Sequence, residues 1–114
     1  MDIRDMQREI DRWVAVNGGY WDELSLLARL TEEVGELARE YNHRFGAKRK
    51  KSTEPEADLA GEMADVLWIL LCMANQSEID LQAAFERTMR KITTRDAGRW
   101  TTPEEPVAPS GQLD

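Results

Sequence analysis

The sequence predicts an all-α protein whose protomer is an antiparallel, four-helix-bundle-like domain. Apolar residues recur every three or four positions in four segments within residues 1–96, the spacing of one face of a helix. Glycine and turn residues separate these segments, and no alternating pattern predicts a pair of strands. A length of 114 residues suits one domain, and four helices with short connections favour an antiparallel bundle.

The first two helices have clear start and stop signals. The first is expected over residues 2–16, and Asn17-Gly18-Gly19 follows as a terminator. The second is expected over residues 22–43, with Asp22 as its N-cap and Gly46 after its end. Its apolar stripe consists of Leu27, Leu30, Val34, Leu37 and Tyr41.

The last two helices follow a basic segment, residues 48–51. This segment is either an ordinary surface loop or a loop that closes over phosphates, and the sequence leaves both interpretations open. Thr53-Glu54-Pro55-Glu56 has the form of a capping box and predicts the start of the third helix, which runs to about residue 76. The fourth is expected to begin at Asp80. Prolines, a glycine and acidic residues then predict a disordered tail over residues 97–114.

The third helix is apolar almost all round between Met63 and Ala74. A helix without a polar face has to be covered on every side, and three other helices of one short chain provide little surface for that. We therefore expect the protein to self-associate through this helix. Cys72, the one cysteine, lies within the run and is expected to be an inert core thiol.

Charge and composition exclude several classes of partner. A formal net charge of -7 disfavours nucleic acid, and the longest apolar run is far shorter than the roughly 20 residues that span a membrane. No signal peptide is visible at the charged start of the sequence. We therefore expect a cytoplasmic protein that binds neither nucleic acid nor membrane.

Two groups of acidic residues stand on neighbouring predicted helices. Glu32, Glu33 and Glu36 share one face of the second helix, because residues three and four apart are neighbours there. Glu62 and Asp65 are three apart on the third helix, and Asp65 is set in the apolar run, where an unpaired buried carboxylate would be costly. Facing acids would repel unless a cation lay between them. Oxygen ligands indicate Mg²⁺, with Mn²⁺ as a substitute.

These residues resemble the paired EExxE and ExxD motifs of the MazG-type nucleotide pyrophosphohydrolases. The first motif is Thr31-Glu32-Glu33-Val34-Gly35-Glu36-Leu37-Ala38, and the second is Gly61-Glu62-Met63-Ala64-Asp65-Val66-Leu67. The similarity continues through Ala74-Asn75 and into Arg95-Asp96-Ala97-Gly98-Arg99-Trp100, so that it covers about residues 5–100.

The resemblance implies an all-α homodimer or dimer of dimers. It also implies Mg²⁺-dependent hydrolysis of a nucleoside or deoxynucleoside triphosphate to the monophosphate and pyrophosphate. Glu32 would orient or deprotonate the attacking water. The implied metal ligands are Glu33, Glu36, Glu62 and Asp65, and the implied phosphate or nucleotide contacts are Lys91, Arg95 and Asn75.

Several of these residues have a second interpretation. Lys91 and Arg95 also fit a solvated basic stripe, and Asn75 also fits a cap at the end of the third helix. Tyr20 and Trp21, in the link before the second helix, are the favoured contacts for a nucleobase, whereas Trp68 is expected in the core.

Two other functions are alternatives to the pyrophosphohydrolase, and the sequence disfavours the first of them. The spacing of Glu40 and His43 also occurs in di-iron bundles, but those sites need two such pairs and the chain has one histidine. A non-catalytic helical module that binds metal or nucleotide for sensing or assembly remains the alternative to an enzyme.

Overall fold

The computed structural model describes residues 1–46 and 58–95, which form four α-helices. They are α1 (Ile3–Val16), α2 (Glu23–Phe45), α3 (Leu59–Gln76) and α4 (Leu81–Thr94). The described ranges contain no strand, so the predicted all-α class is confirmed. None of the described helices is long and apolar enough to cross a membrane.

The ends of α1 follow the local signals in the sequence. Asp2 is the N-cap and forms a capping box with Asp5: the Asp5 amide donates to the Asp2 carboxylate at 2.8 Å and the Asp2 amide donates back at 3.0 Å. After the C-cap, Asn17, the backbone enters the left-handed region at Gly18 (φ 103°) and Gly19 (φ 85°). Residues with a Cβ rarely adopt such angles, so these two glycines turn the chain back toward α2.

The caps of α2 are those predicted, whereas α3 as described begins later. The Asp22 carboxylate accepts the Ser25 amide at 2.9 Å, and Gly46 closes α2. The N-cap of α3 is Asp58, whose carboxylate accepts the Gly61 amide at 2.9 Å. The predicted capping box at 53–56, the basic segment 48–51 and the tail 97–114 lie outside the described residues.

The chain divides into two compact units, Met1–Leu81 and Gln82–Asp114. In the first, α1 and α2 both pack on α3 and run antiparallel to it. The antiparallel direction of α2 follows from two contacts, since Trp21 before α2 meets Gln76 at the end of α3, while Glu33 meets Glu62 near its start. Most of α4 belongs to the second unit.

The core of the first unit lies where α1, α2 and the second half of α3 meet. Cys72 is 1% exposed at its centre, and burial raises the pKa of its thiol to about 11, so the thiol stays protonated as expected. The buried members of this core are Ile10, Val14, Leu26, Leu71 and Cys72.

One side of α3 keeps apolar side chains at the surface. Met63, Leu67 and Leu70 are each 40–44% exposed, and along α2 Leu27, Val34 and Tyr41 are exposed as well. Such surfaces commonly form interfaces, which agrees with the expected self-association. The oligomeric state itself stays a prediction.

Candidate metal centre

Three carboxylates converge between α2 and α3. One oxygen from each of Glu33, Glu62 and Asp65 lies within 4.8 Å of the others. Glu62 and Asp65 are three residues apart on α3, so their side chains leave the same face of that helix. Glu33 projects toward them from α2 and is only 3% exposed.

The cluster carries more negative charge than the described residues around it neutralise. The Oε2 atoms of Glu33 and Glu62 are buried and have no hydrogen-bond partner among the described residues. Burial is the main cause that raises the pKa of Glu33, and the charges of Glu36 and Asp65 raise it further. The pKa of Glu62 is raised by burial and then by Glu36, Asp65 and Glu33. Acids in this state are stabilised by a cation.

One cation, Arg29, already lies beside the cluster. Its Nη2 atom is 2.8 Å from Oε1 of Glu33, one helical turn away on α2, and its Nη1 atom is 3.5 Å from Oε2 of Glu32. The guanidinium partly opposes the rise in the pKa of Glu33. Sequence reasoning missed this residue, although the i, i+4 spacing of arginine and glutamate was a usable signal.

The prediction for Asp65 is wrong in one respect. It was expected to be buried because of its apolar neighbours in the sequence, but its side chain is exposed and Glu33 is the buried acid. The reason is geometric: the described residues leave one face of α3 uncovered, so apolar neighbours in the sequence do not bury Asp65 in the structure.

The other two predicted acids lie next to the converging three. Glu36 does not belong to the convergent group, but it is close enough that its charge raises the pKa of both Glu33 and Glu62. Glu32 is exposed and lies on the Arg29 side of Glu33. Their roles as fourth ligand and base stay predictions.

Lys91 and Arg95 belong to the second unit. Both lie at the end of α4, where the Arg95 amide donates to the Lys91 carbonyl at 2.8 Å. As phosphate contacts they stay predictions.

Asn75 links α3 to α1 through its side-chain amide. Its Nδ2 atom donates to the Gln7 carbonyl and to the Tyr20 hydroxyl, both at 2.9 Å, and its Oδ1 atom accepts from Nε2 of Gln7 at 2.9 Å. The expected cap at the end of α3 is instead provided by Ser77. A nucleotide contact by Asn75 stays a prediction, and these bonds occupy the amide in the described structure.

A cavity of about 390 Å³ opens beside the carboxylates. Glu33, Asp65 and Arg29 line one part of it, and Trp21, a predicted substrate contact, lines another. The described residues that line it are Trp13, Val14, Asn17, Gly19, Tyr20, Trp21, Leu26, Arg29, Glu33, Asp65, Trp68, Ile69 and Cys72.

Two further tryptophans that line the cavity, Trp13 and Trp68, contact each other. The rings of Trp13 and Trp68 meet edge to face with centroids 6.1 Å apart. They are 56% and 41% exposed, so the expectation that Trp68 is a core residue is wrong. The cavity therefore has an acidic part and an aromatic part.

The sequence of the chain matches the model of a known protein family over most of its length. The family model of the MazG nucleotide pyrophosphohydrolase domain matches residues 22–100, a range that includes all five predicted acids. The chain belongs to the MazG nucleotide pyrophosphohydrolase family. Membership makes it a hydrolase that acts on nucleotides, and it confirms the resemblance found in the sequence.

Similar proteins come from Bacillus. YpjD of Bacillus subtilis strain 168, a protein of uncharacterised function, is 49% identical over 104 residues, which are 90% of this chain and 94% of YpjD. A crystal structure of YpjD, for which pyrophosphatase activity has been suggested, has a TM-score of 0.74 at 46% identity and covers 82% of this chain and 97% of its own.

A second crystal structure, of a MazG protein conserved in Bacillus and described as a nucleotide pyrophosphohydrolase, has a TM-score of 0.70 at 42% identity. The match covers 83% of this MazG-family chain and 93% of the other.

Proposed function

We propose that this MazG-family chain hydrolyses a nucleoside or deoxynucleoside triphosphate to the monophosphate and pyrophosphate, with Mg²⁺ bound by the acids between α2 and α3. An activity of this kind would clear unwanted nucleotides from the cellular pool. The observation that carries the proposal is the convergence of three carboxylates, two of which have a buried oxygen with no hydrogen-bond partner among residues 1–46 and 58–95.

The donor set fits a hard divalent cation. Glu33, Glu62 and Asp65 offer only carboxylate oxygens, and these suit Mg²⁺ or Mn²⁺ better than Zn²⁺. The Oε2 atoms of Glu33 and Glu62, which are buried and have no partner in the part of the chain that the structure describes, are the kind of group that a cation satisfies. Glu36, next to them, would complete the ligand set.

The remaining chemistry falls to side chains around the acids. When bound, the cation would neutralise phosphate charge and lower the pKa of a water molecule. Glu32, next in sequence to a ligand, would accept the proton of the attacking water. Arg29 would hold Glu33 in place through its bond to Oε1, because an outer partner fixes the orientation of a ligating carboxylate.

Further contacts and the assembly belong to the same proposal. Lys91 and Arg95 would bind substrate phosphates, since arginine and lysine are the usual partners of phosphate oxygens. A homodimer or dimer of dimers would cover the exposed apolar residues of α2 and α3.

A non-catalytic module for nucleotide or metal binding is the alternative. It would keep the same ligands but would have no use for a base at Glu32. Both proposals therefore predict that the chain binds metal or nucleotide, but only the enzyme is expected to turn over a nucleoside triphosphate.

Identification of the products tests the proposal. The protein is incubated with ribo- and deoxyribonucleoside triphosphates in Mg²⁺ or in EDTA, and the products are separated by ion exchange. We expect equal amounts of monophosphate and pyrophosphate, in Mg²⁺ only. Glu33→Gln and Asp65→Asn should abolish the release, whereas Glu23→Gln, an exposed acid at the start of α2, should leave it intact.

Release of orthophosphate in place of pyrophosphate would refute the reaction, and full activity in both acid variants would refute the site. Nucleotide binding without turnover would favour the module.

A further inference from the structure

We propose that Arg29 binds the phosphate chain of the substrate with one edge of its guanidinium while the other edge stays on Glu33. The inference rests on the proposed function, because it takes the phosphates to lie beside the acids between α2 and α3. Arg29 lies outside both acidic motifs, so the sequence alone did not mark it as a substrate contact.

Arg29 lies at the place where the acids meet the cavity. The cavity of about 390 Å³ has Glu33 and Asp65 in its wall, and Arg29 is the one cation among the described residues that line it. The Arg29 side chain is 45% exposed, whereas that of Glu33 is 5% exposed. The buried carboxylate therefore holds an arginine side chain that a ligand in the cavity can reach.

The charges at the site call for a cation besides the metal ion. Glu33, Glu62 and Asp65 are three carboxylates in one small volume, and a phosphate chain would add further negative charge beside them. A divalent cation would offset only part of this charge, and like charges at short distance repel more strongly away from bulk water. Arg29 is in position to offset more of it, since it already lies against a predicted metal ligand.

The guanidinium has donors to spare. Its Nη2 atom is 2.8 Å from Oε1 of Glu33, and its Nη1 atom is 3.5 Å from Oε2 of Glu32, at the limit of a hydrogen bond. A guanidinium carries more N–H groups than these two contacts use. Its planar fork matches phosphate oxygens as well as carboxylates, so one side chain can bridge Glu33 and a phosphate.

The two glutamates also prepare Arg29 for binding. An arginine without contacts loses much rotamer freedom when a ligand fixes it, whereas Glu32 and Glu33 already restrict this one from the next turn of α2. A contact whose side chain is partly ordered beforehand costs less to complete.

A residue that only orients Glu33 differs in a measurable way from one that also touches phosphate. The first kind affects the binding of metal, and its replacement no longer changes phosphate binding once the metal site is filled. The second kind affects phosphate binding even when the metal site is full. Phosphate affinity at saturating metal therefore separates the two roles.

Titration calorimetry with imidodiphosphate, a pyrophosphate analogue whose P–N–P bridge resists hydrolysis, tests the contact. Mn²⁺ is first titrated alone into each protein and is then held well above its dissociation constant for that protein. Arg29→Met and Arg29→Gln should each bind the analogue about 10–150-fold more weakly, the loss expected for hydrogen bonds between charged groups. The glutamine variant keeps an amide that can donate to Glu33. Arg39→Gln, an exposed arginine of α2 that does not line the cavity, is the matched control and should bind as the unmodified protein does.

Unchanged affinity for the analogue in both Arg29 variants at saturating Mn²⁺ would overturn the proposal, and so would the absence of binding to the unmodified protein. Saturable Mn²⁺ binding and an unaltered far-ultraviolet circular dichroism spectrum in each variant exclude loss of the metal site or of the fold as the cause.

Turnover separates this proposal from the proposed function. Both Arg29 variants should lower kcat/KM for nucleoside triphosphates at saturating Mg²⁺. Weaker binding of the analogue in these variants supports the phosphate contact even if no triphosphate is hydrolysed. Hydrolysis of triphosphates with the unmodified kcat/KM in both variants would leave the proposed function standing and remove Arg29 from the substrate site.

Discussion

Gln7 is the buried centre of a hydrogen-bond network that fixes α1 against the end of α3, and its replacement by leucine gives a sharp test of the fold. Its Nε2 atom donates to Oδ1 of Asn75 at 2.9 Å and to the Ile79 carbonyl at 2.8 Å. Its Oε1 atom accepts the Leu81 amide at 3.2 Å. Leucine has a similar size but can make none of these bonds.

The expected loss of stability depends on the number of hydrogen bonds removed and on the polar partners that are left without a bond. Each intramolecular hydrogen bond contributes about 0.5–1.5 kcal/mol, and an unsatisfied buried group costs about 1–3 kcal/mol. Gln7→Leu removes three hydrogen bonds. Part of this loss is offset because leucine buries more apolar surface and because water can bond to the half-buried partners. We expect the free energy of unfolding to fall by about 2–4 kcal/mol.

Urea denaturation, followed by tryptophan fluorescence and by circular dichroism at one protein concentration, measures this change. A fixed concentration is needed because self-association would add to the apparent stability. Arg12→Leu, at an exposed position of the same helix, is the control and should change stability by less than about 0.5 kcal/mol. A loss of less than about 0.5 kcal/mol for Gln7→Leu would refute the network as a stabilising element.

Two further predictions concern charge and assembly. The pKa values of Glu33 and Glu62 are raised above the ordinary 4.5, so ionisation of these acids destabilises the metal-free protein as the pH rises above 4.5. The thermal stabilisation produced by Mg²⁺ should therefore increase with pH above 4.5, and melting curves at several pH values that show a constant increment would contradict this. Sedimentation at micromolar concentration should give a mass above that of one chain, and a monomeric mass would refute self-association.

Local signals in the sequence account for most of the helices. Asp2, Asp22 and Gly46 lie at helix ends because a capping carboxylate or a glycine acts on its immediate neighbours. The spacing of Glu62 and Asp65 likewise places both on one face of α3. Short-range rules of this kind need no knowledge of tertiary structure.

Features that depend on how helices are rotated against one another could not be predicted in the same way. Whether Glu33 and Asp65 are buried depends on which face α2 and α3 turn toward each other, and in this arrangement Glu33 is buried and Asp65 is exposed. Trp13 and Trp68 are 55 residues apart in the chain, and nothing in the local sequence indicates that their rings meet. The hydrogen bonds between Gln7 and Asn75 could not be predicted either, because they join residues that are far apart in the sequence.

The central claim is that Glu33, Glu62 and Asp65 together hold a divalent cation. Titration calorimetry of Mn²⁺ into the metal-free protein, without nucleotide, measures this most directly. We expect a saturable binding curve for the unmodified protein and for Glu23→Gln, and binding at least about 10-fold weaker for Glu62→Gln, the size of effect seen even for residues that support a ligand. Equal affinity in Glu62→Gln and in the unmodified protein would contradict the assignment of the metal centre.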